Sequence, residues 1–332
     1  MRHLVICEYG TALGVTGARV TVKQKGELIA EYPLSRLHTI TIAKEGVSLS
    51  SNLIQEGSSR GIRIFILNGI GECVAAVSGI RSHGVGQTRR HQILFLEDGV
   101  CSAELAMRIM YGKLRNQRAV ICYFAKSAAR QQNGISVKLT ETAEQLKAAA
   151  DQIAAYAQCK EDCRASLLGI EGSGASLYWH LWPEVGLLPE SFCGREGRGS
   201  PEPVNAALNY GYAILSSRIW NAILVAGLEP YLGFFHVERP GKPSLVLDLI
   251  EEYRAWCVDR IIIKNRTLLA RAKTLTPLIK KRIIDEVQNC FATEYAYKGK
   301  RLSLDSILQR QVYRLVGHFA GNKNYKPYLF KW

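Results

Sequence analysis

The run IRIFILNGIGECVAAVSGIRSHGVGQTRR, residues 62–90, holds the change of texture that decides the fold. Ile62 to Leu67 and Cys73 to Val77 are short apolar segments around Asn68-Gly69-Ile70-Gly71, which reads as a pair of strands joined by a turn. Ser78 to Arg90 follows, with Gly79, Gly84 and Gly86, and reads as a hinge. Upstream, His3 to Tyr9, Ala18 to Gln24, Leu28 to Pro33 and His38 to Ala43 are β-like, and Lys25-Gly26 suggests a hairpin between two of them. Ser50 to Arg60 reads as a short helix with a Ser start and Gly61 as its stop. Downstream, strand signals nearly vanish. Glu104 to Ala129, Leu139 to Cys159, Pro203 to Ala226, Ser244 to Ile263 and Ser303 to Phe319 carry helical apolar spacing.

The expected class is therefore α+β, a small β-rich N-terminal domain followed by a larger all-helical one. The expected boundaries are 1–80 for the first domain, 81–90 for the hinge, 91–320 for the helical domain and 321–332 for a loosely held basic tail. Cys193 to Pro203, rich in Gly, Arg and Pro, is the expected mobile loop.

The chain has 332 residues and a net charge of +14, and its 47% hydrophobic content excludes general disorder. From Arg260 to Trp332 there are 16 Lys and Arg against 4 Asp and Glu, a net +12. Such a one-sided block suits a surface that tracks phosphates. Tyr295, Tyr297, Tyr313, Tyr325 and Tyr328 lie within it, as base-stacking or core residues. Nine scattered cysteines without a Cys-x-x-Cys suggest reduced thiols. Cys159 and Cys163 read as ordinary helix residues, and His83 and His91 as surface or DNA-backbone residues. No apolar run is long enough to span a bilayer, so a soluble, cytoplasmic protein is expected.

Four acidic or imidazole residues stand in distinctive local sequence. Glu171 lies in Gly-Ile-Glu-Gly-Ser-Gly-Ala (169–175), between glycines and an expected helix start. His236 ends Leu-Glu-Pro-Tyr-Leu-Gly-Phe-Phe-His (228–236), a loop after a helix. Asp248 and Glu251 are three apart on a predicted helix and share a face, with Glu252 rotated away. Arg254 lies three residues beyond Glu251, placed to hold a carboxylate or clamp a phosphate. Carboxylate and imidazole suit Mg²⁺ or Mn²⁺, the ions of phosphodiester chemistry. Each signal alone also fits a turn, a core histidine or a solvated helix face. Neither Gly-x-Gly-x-x-Gly nor a phosphate-binding Gly-Lys-Ser/Thr loop occurs, which excludes the common nucleotide-cofactor sites. No nucleophile signature supports a Cys-His hydrolase.

Five ordered stretches carry a resemblance. They are Tyr9 to Val15, Tyr32 to Ile42, Asn205 to Leu215, and the segments ending at His236 and Arg254. Over essentially its whole length the chain resembles the CRISPR-associated adaptation integrases. The resemblance implies a dimerising N-terminal domain and a helical catalytic domain. It implies metal ligands at Glu171, His236 and Glu251, with Asp248 a neighbouring acidic helper and Mg²⁺ or Mn²⁺ as cofactor. It also implies the reaction, a metal-dependent transesterification joining 3′-hydroxyl ends of protospacer DNA into the CRISPR repeat. The implied partners are double-stranded DNA, a second copy of the chain and a small CRISPR-associated partner dimer ("Cas two"). Tyr178, Asn205, Asn209 and Tyr210 look like family positions close to the site, with roles in orientation, DNA contact or packing. Lys242, Arg254, Arg266, Lys280, Lys281 and Arg282 complete the expected nucleic-acid contacts. The competing readings are a stand-alone nuclease on branched DNA or RNA and a non-catalytic DNA-binding scaffold.

Overall fold

Lys25 and Gly26 both have positive φ, 51° and 87°. That is the backbone of a two-residue turn whose twist matches its flanking strands. It joins β3 (Arg19–Gln24) to β4 (Glu27–Pro33), antiparallel. In the computed structural model, which describes residues 3–69, 71–79, 86–132, 134–156, 164–197 and 199–331, this hairpin belongs to a four-stranded sheet. Its order is β4-β3-β2-β6, with β2 (Thr11–Thr16) and β6 (Ser48–Leu49) completing it. A second sheet has the order β1-β5-β7-β8, built from β1 (His3–Ile6), β5 (Thr39–Ile42), β7 (Arg63–Leu67) and β8 (Cys73–Val77). Helix α1 (Ser51–Ser59) starts at Ser50, whose side chain accepts from the Leu53 N–H.

Val20, Val22, Ile40, Ile42, Leu53 and Ile64 form the core of this N-terminal region. β5 is buried along its whole length, as a central strand covered on both sides should be. Ile40 and Ile42 enter that core, while Thr41 bonds across to Ser217 of the helical region at 3.3 Å. Two further links cross the same junction. Arg63 donates to Asn221 at 2.9 Å, and His3 Nε2 lies 3.3 Å from Asp305.

The helical region starts earlier than the sequence suggests. Helix α2 (Gly86–Glu97) begins inside the expected hinge, whose residues 81–85 lie outside the described residues, as do His83, Cys159 and Cys163. α3 (Gly99–Arg130) opens on Asp98, which accepts from the N–H groups of Val100 and Cys101. It packs against α4 (Ile135–Tyr156) and α5 (Arg164–Glu184). α6 (Pro203–Val225) is capped by Glu202, and α7 (Ser244–Arg254) continues through a π-helical turn, Ala255–Asp259, into α8 (Arg260–Lys264). α9 (Arg266–Ala270), α10 (Pro277–Ala292) and α11 (Leu304–Phe319) follow.

Two expectations are corrected here. The helical region contains one hairpin, β9 (Glu294–Tyr297) and β10 (Lys300–Ser303), turning on Lys298 and Gly299, both with positive φ. The last residues are docked rather than loose. Tyr325 is fully buried, and Phe330 stacks on Trp256 with ring centroids 5.2 Å apart. Tyr325 and the Tyr328 N–H donate to Glu252 at 2.6 and 2.8 Å, and the Phe330 N–H donates to Asn116 at 2.9 Å. The aromatic residues spaced through this segment give it an apolar side, and that burial outweighs the solvation of Asn322, Lys323 and Lys326.

Candidate active site

α5 carries Glu171 in its second turn, inside a helix and not before one. The Gly-Ser-Gly that follows has a packing reason at one position. A Cβ on Gly174 would lie 2.6 Å from Leu114 of α3 and 3.5 Å from Leu146 of α4. The bare glycine lets α5 sit close to α3, one turn beyond Glu171. Across that contact stands Lys113 of α3, only 3% exposed. Its ammonium bonds Glu171 Oε1 and lies 2.8 Å from Glu251 Oε2. Arg254 reaches the same Glu251 oxygen, also at 2.8 Å. Burial works to raise the Glu251 carboxyl, yet Arg254 and Lys113 hold it below the usual glutamate range.

The His236 loop is built on Asp248. Its Oδ2 accepts from the N–H groups of Phe234 and Phe235 at 2.7 and 3.1 Å. Its Oδ1 accepts from the His236 N–H at 2.9 Å and meets His236 Nδ1 at 2.6 Å. With Nδ1–H given to Asp248, the Nε2 lone pair is left for another partner. Gly233 makes the fit possible, because a Cβ there would lie 2.6 Å from Asp248 Oδ2 and 2.8 Å from the Ser244 carbonyl carbon.

Glu171, His236 and Glu251 thus come from three separate elements and line one cavity of about 400 Å³. Lys113, Arg239, Lys242 and Arg254 line it too, so carboxylates and an imidazole are ringed by cations. A larger, mostly apolar cavity of about 620 Å³ shares Phe235, His236 and Val237 with it. Among the described residues, no three His, Cys, Asp or Glu side chains stand in a closed metal-holding cluster. Lys113 lies where the two carboxylates would otherwise face each other.

The other expected residues divide. Lys242 and Arg254 are in the cavity. Tyr178 is fully buried on α5, and Tyr212 of α6 donates to Asp259 beside it. Burial lifts the Asp259 carboxyl to about 6, against the pull of Tyr212 and Arg254. Asn205 and Asn209 hold the loop before α6. Asn205 accepts from Arg195 at 3.0 Å and from the Glu196 N–H at 2.8 Å, and Asn209 donates to the Gly197 carbonyl at 2.9 Å. Residues 194–197 of the expected mobile loop are therefore tied down by side chains of the following helix, which its composition does not reveal. Tyr210 is buried beneath Lys280, 5.3 Å from the ring centre. Lys280, Lys281 and Arg282 lie on the first turns of α10 and Arg266 on α9, away from the cavity lining. Of the five tyrosines in the basic third, Tyr325 and Tyr328 are buried, while Tyr313 is half exposed.

Sequence reasoning passed over Lys113. The signal was present, since Lys113 is four residues from both Ile109 and Gln117 and so lies on the buried stripe of α3. A charge on such a stripe demands a partner.

A family model for CRISPR associated protein Cas1 matches residues 4–283. CRISPR-associated endonuclease Cas1 1 of Francisella tularensis subsp. novicida (strain U112) is 46% identical over 332 residues, covering 100% of both chains. The backbone follows that of a casposase bound to integration product, with a TM-score of 0.79 and 22% identity over 98% of this chain and 93% of that one. It also follows a chain of a Cas6-RT-Cas1–Cas2 complex, with a TM-score of 0.78 and 21% identity over 98% of this chain and 36% of that one. The relative and the fold agree over nearly the full length and the family model over residues 4–283, and the chain belongs to the Cas1 family.

Proposed function

We propose that this chain is a CRISPR spacer-acquisition integrase, a metal-dependent enzyme that joins the 3′-hydroxyl ends of protospacer DNA into the CRISPR repeat. The observation that carries the reading is the convergence of Glu171, His236 and Glu251, far apart in sequence, on one cation-rimmed cavity. The donor set fits a hard divalent cation such as Mg²⁺ or Mn²⁺, because two carboxylates and an imidazole with a free Nε2 are oxygen and nitrogen ligands. The Asp248–His236 contact is the outer-sphere arrangement that orients a ligating histidine. When bound, the ion would neutralise charge on the attacked phosphate and favour the oxyanion nucleophile.

The remaining work falls to the chain's own groups. Arg239, Lys242 and Arg254 can hold phosphate oxygens on the cavity wall. In the reaction the 3′-oxygen of the incoming strand forms a bond to phosphorus, the bond to the leaving 3′-oxygen breaks, and one proton passes from the attacking to the leaving hydroxyl. One phosphodiester replaces another, so positioning and charge neutralisation suffice. The excess charge of residues 260–332 supports contact with duplex phosphates without reading sequence. The relatives' names as endonucleases, and the neighbours solved with integration product and with Cas2, support DNA as substrate and a Cas2-like partner. Leu28 and Ile29, each 53% exposed on the edge strand β4, support an N-terminal face for a second copy. No helix among the described residues is long and apolar enough to cross a membrane.

The test is a short duplex labelled at its 5′ end, given with a repeat-bearing plasmid, the Cas2-like partner and Mn²⁺. Label should move onto the plasmid, and a duplex ending in 3′-deoxynucleotides should give none. Shortened label with no joined product would instead support a stand-alone nuclease.

A further inference from the structure

Lys113 is a charged group at the cavity to which the proposed reaction assigns no role. Its side chain is 4% exposed, and its ammonium lies between carboxylates that are 18% and 7% exposed. A buried ammonium needs charged partners, and here both partners are candidate metal ligands. Glu171 and Glu251 bring two negative charges, and Lys113 and Arg254 bring two positive ones. The cluster is neutral before any metal arrives. A divalent cation entering between the two glutamates therefore meets an ammonium already bonded to both.

We infer that Lys113 is a positioning residue that holds Glu171 and Glu251 together in the metal-free protein and is displaced from between them when the divalent cation binds. The inference rests on the reading of Glu171, His236 and Glu251 as metal ligands. It makes the ammonium a competitor for the ion's own ligands. Two carboxylates brought close without a counter-ion repel, so the competitor also keeps the site assembled while it waits. Arg254 cannot take over this role, because its contact is to Glu251 and it leaves Glu171 unpaired.

The test is Mn²⁺ titration, by calorimetry, of chelator-stripped full-length protein in three forms: wild type, Lys113→Met and Glu171→Gln. Methionine keeps an unbranched stem of similar length and removes the charge. Lys113→Met should bind Mn²⁺ at least about tenfold more tightly than wild type, because a positive charge within bonding distance of the ligands is gone. Its metal-free form should melt lower and gain more from added Mn²⁺ than wild type does. A folded Lys113→Met with unchanged or weaker Mn²⁺ affinity overturns the inference while leaving the metal site standing, provided Glu171→Gln binds more weakly than wild type. Equal affinity of wild type and Glu171→Gln, or no binding by either, overturns the metal-site reading and the inference together.

Should Lys113→Met fail to fold, acetylation of the wild-type Lys113 amine, followed by mass spectrometry with and without Mn²⁺, decides the matter. Displacement into the cavity should raise labelling severalfold when Mn²⁺ is added. Labelling indifferent to Mn²⁺ overturns the displacement.

Discussion

Asp248 is fully buried, and both of its carboxylate oxygens are committed to the three residues that end in His236. It is the reason a histidine on a loop can hold one ring orientation. Asparagine at this position has one acceptor oxygen and one amide that can only donate, so one side of the loop loses its acceptor. Asp248→Asn should fold and should bind Mn²⁺ about 10- to 100-fold more weakly. Mn²⁺ affinity equal to wild type would show that the loop orients His236 without the carboxylate. Spacing alone made Asp248 and Glu251 equal candidates, since both lie on one helix face, and only the family resemblance singled out Glu251. The structure separates them, because only Glu251 lines the cavity while Asp248 lies behind the histidine. Lys113 was the harder residue to see. One lysine in a long apolar stripe has no local motif, and its meaning depends on two glutamates 58 and 138 positions away.

At the scale of elements, the helix α7 that carries Glu251 is clamped from behind by the last residues of the chain. Glu252, next to Glu251, points away from the cavity and accepts from Tyr325 and Tyr328, while Phe330 stacks on Trp256 of the π-helical turn. Gly112 of α3 leaves room for the same segment, since a Cβ there would lie 2.6 Å from Pro327. The chain end is thus part of the core that positions the site. Phe330→Ala should cost about 3–5 kcal/mol of stability, measured by urea unfolding. A cost below about 1 kcal/mol would return the segment to the status of a tail. Helices α3, α4, α6, α7 and α11 and most strands were legible because their periods are strong, whereas α10 was not read as a helix. β2 escaped because Thr-Ala-Leu-Gly-Val-Thr has small residues and a glycine, and α5 escaped because its glycines look like a loop. Gly174 is there for helix–helix approach, which only the neighbouring helices reveal.

At the scale of the molecule, the two regions meet through polar residues as well as apolar ones. His3 of β1 bonds Thr39 at 2.8 Å through Nδ1 and faces Asp305 of α11 through Nε2, with Arg218 of α6 also on Asp305 at 2.8 Å. Burial, helped by Arg218, lowers the His3 pKa from 6.5 to about 4. The unfolded chain then binds more protons than the folded one between those values, so stability is fully present above about pH 6.5 and is lost as pH falls toward 4. The loss attributable to this group is on the order of 3 kcal/mol. His3→Asn should flatten the fall in urea midpoint between pH 6.5 and 4.5, and an unchanged slope would place the acid sensitivity elsewhere. The central claim is that Glu171, His236 and Glu251 act as one metal site for joining DNA. Its most direct test is strand transfer of a 3′-hydroxyl duplex into a repeat-bearing plasmid by wild type and by Glu171→Ala, His236→Ala and Glu251→Ala, each with and without EDTA. Joined product should form only with wild type and divalent metal, whereas wild-type yield from any of the three variants, or in EDTA, would contradict the account.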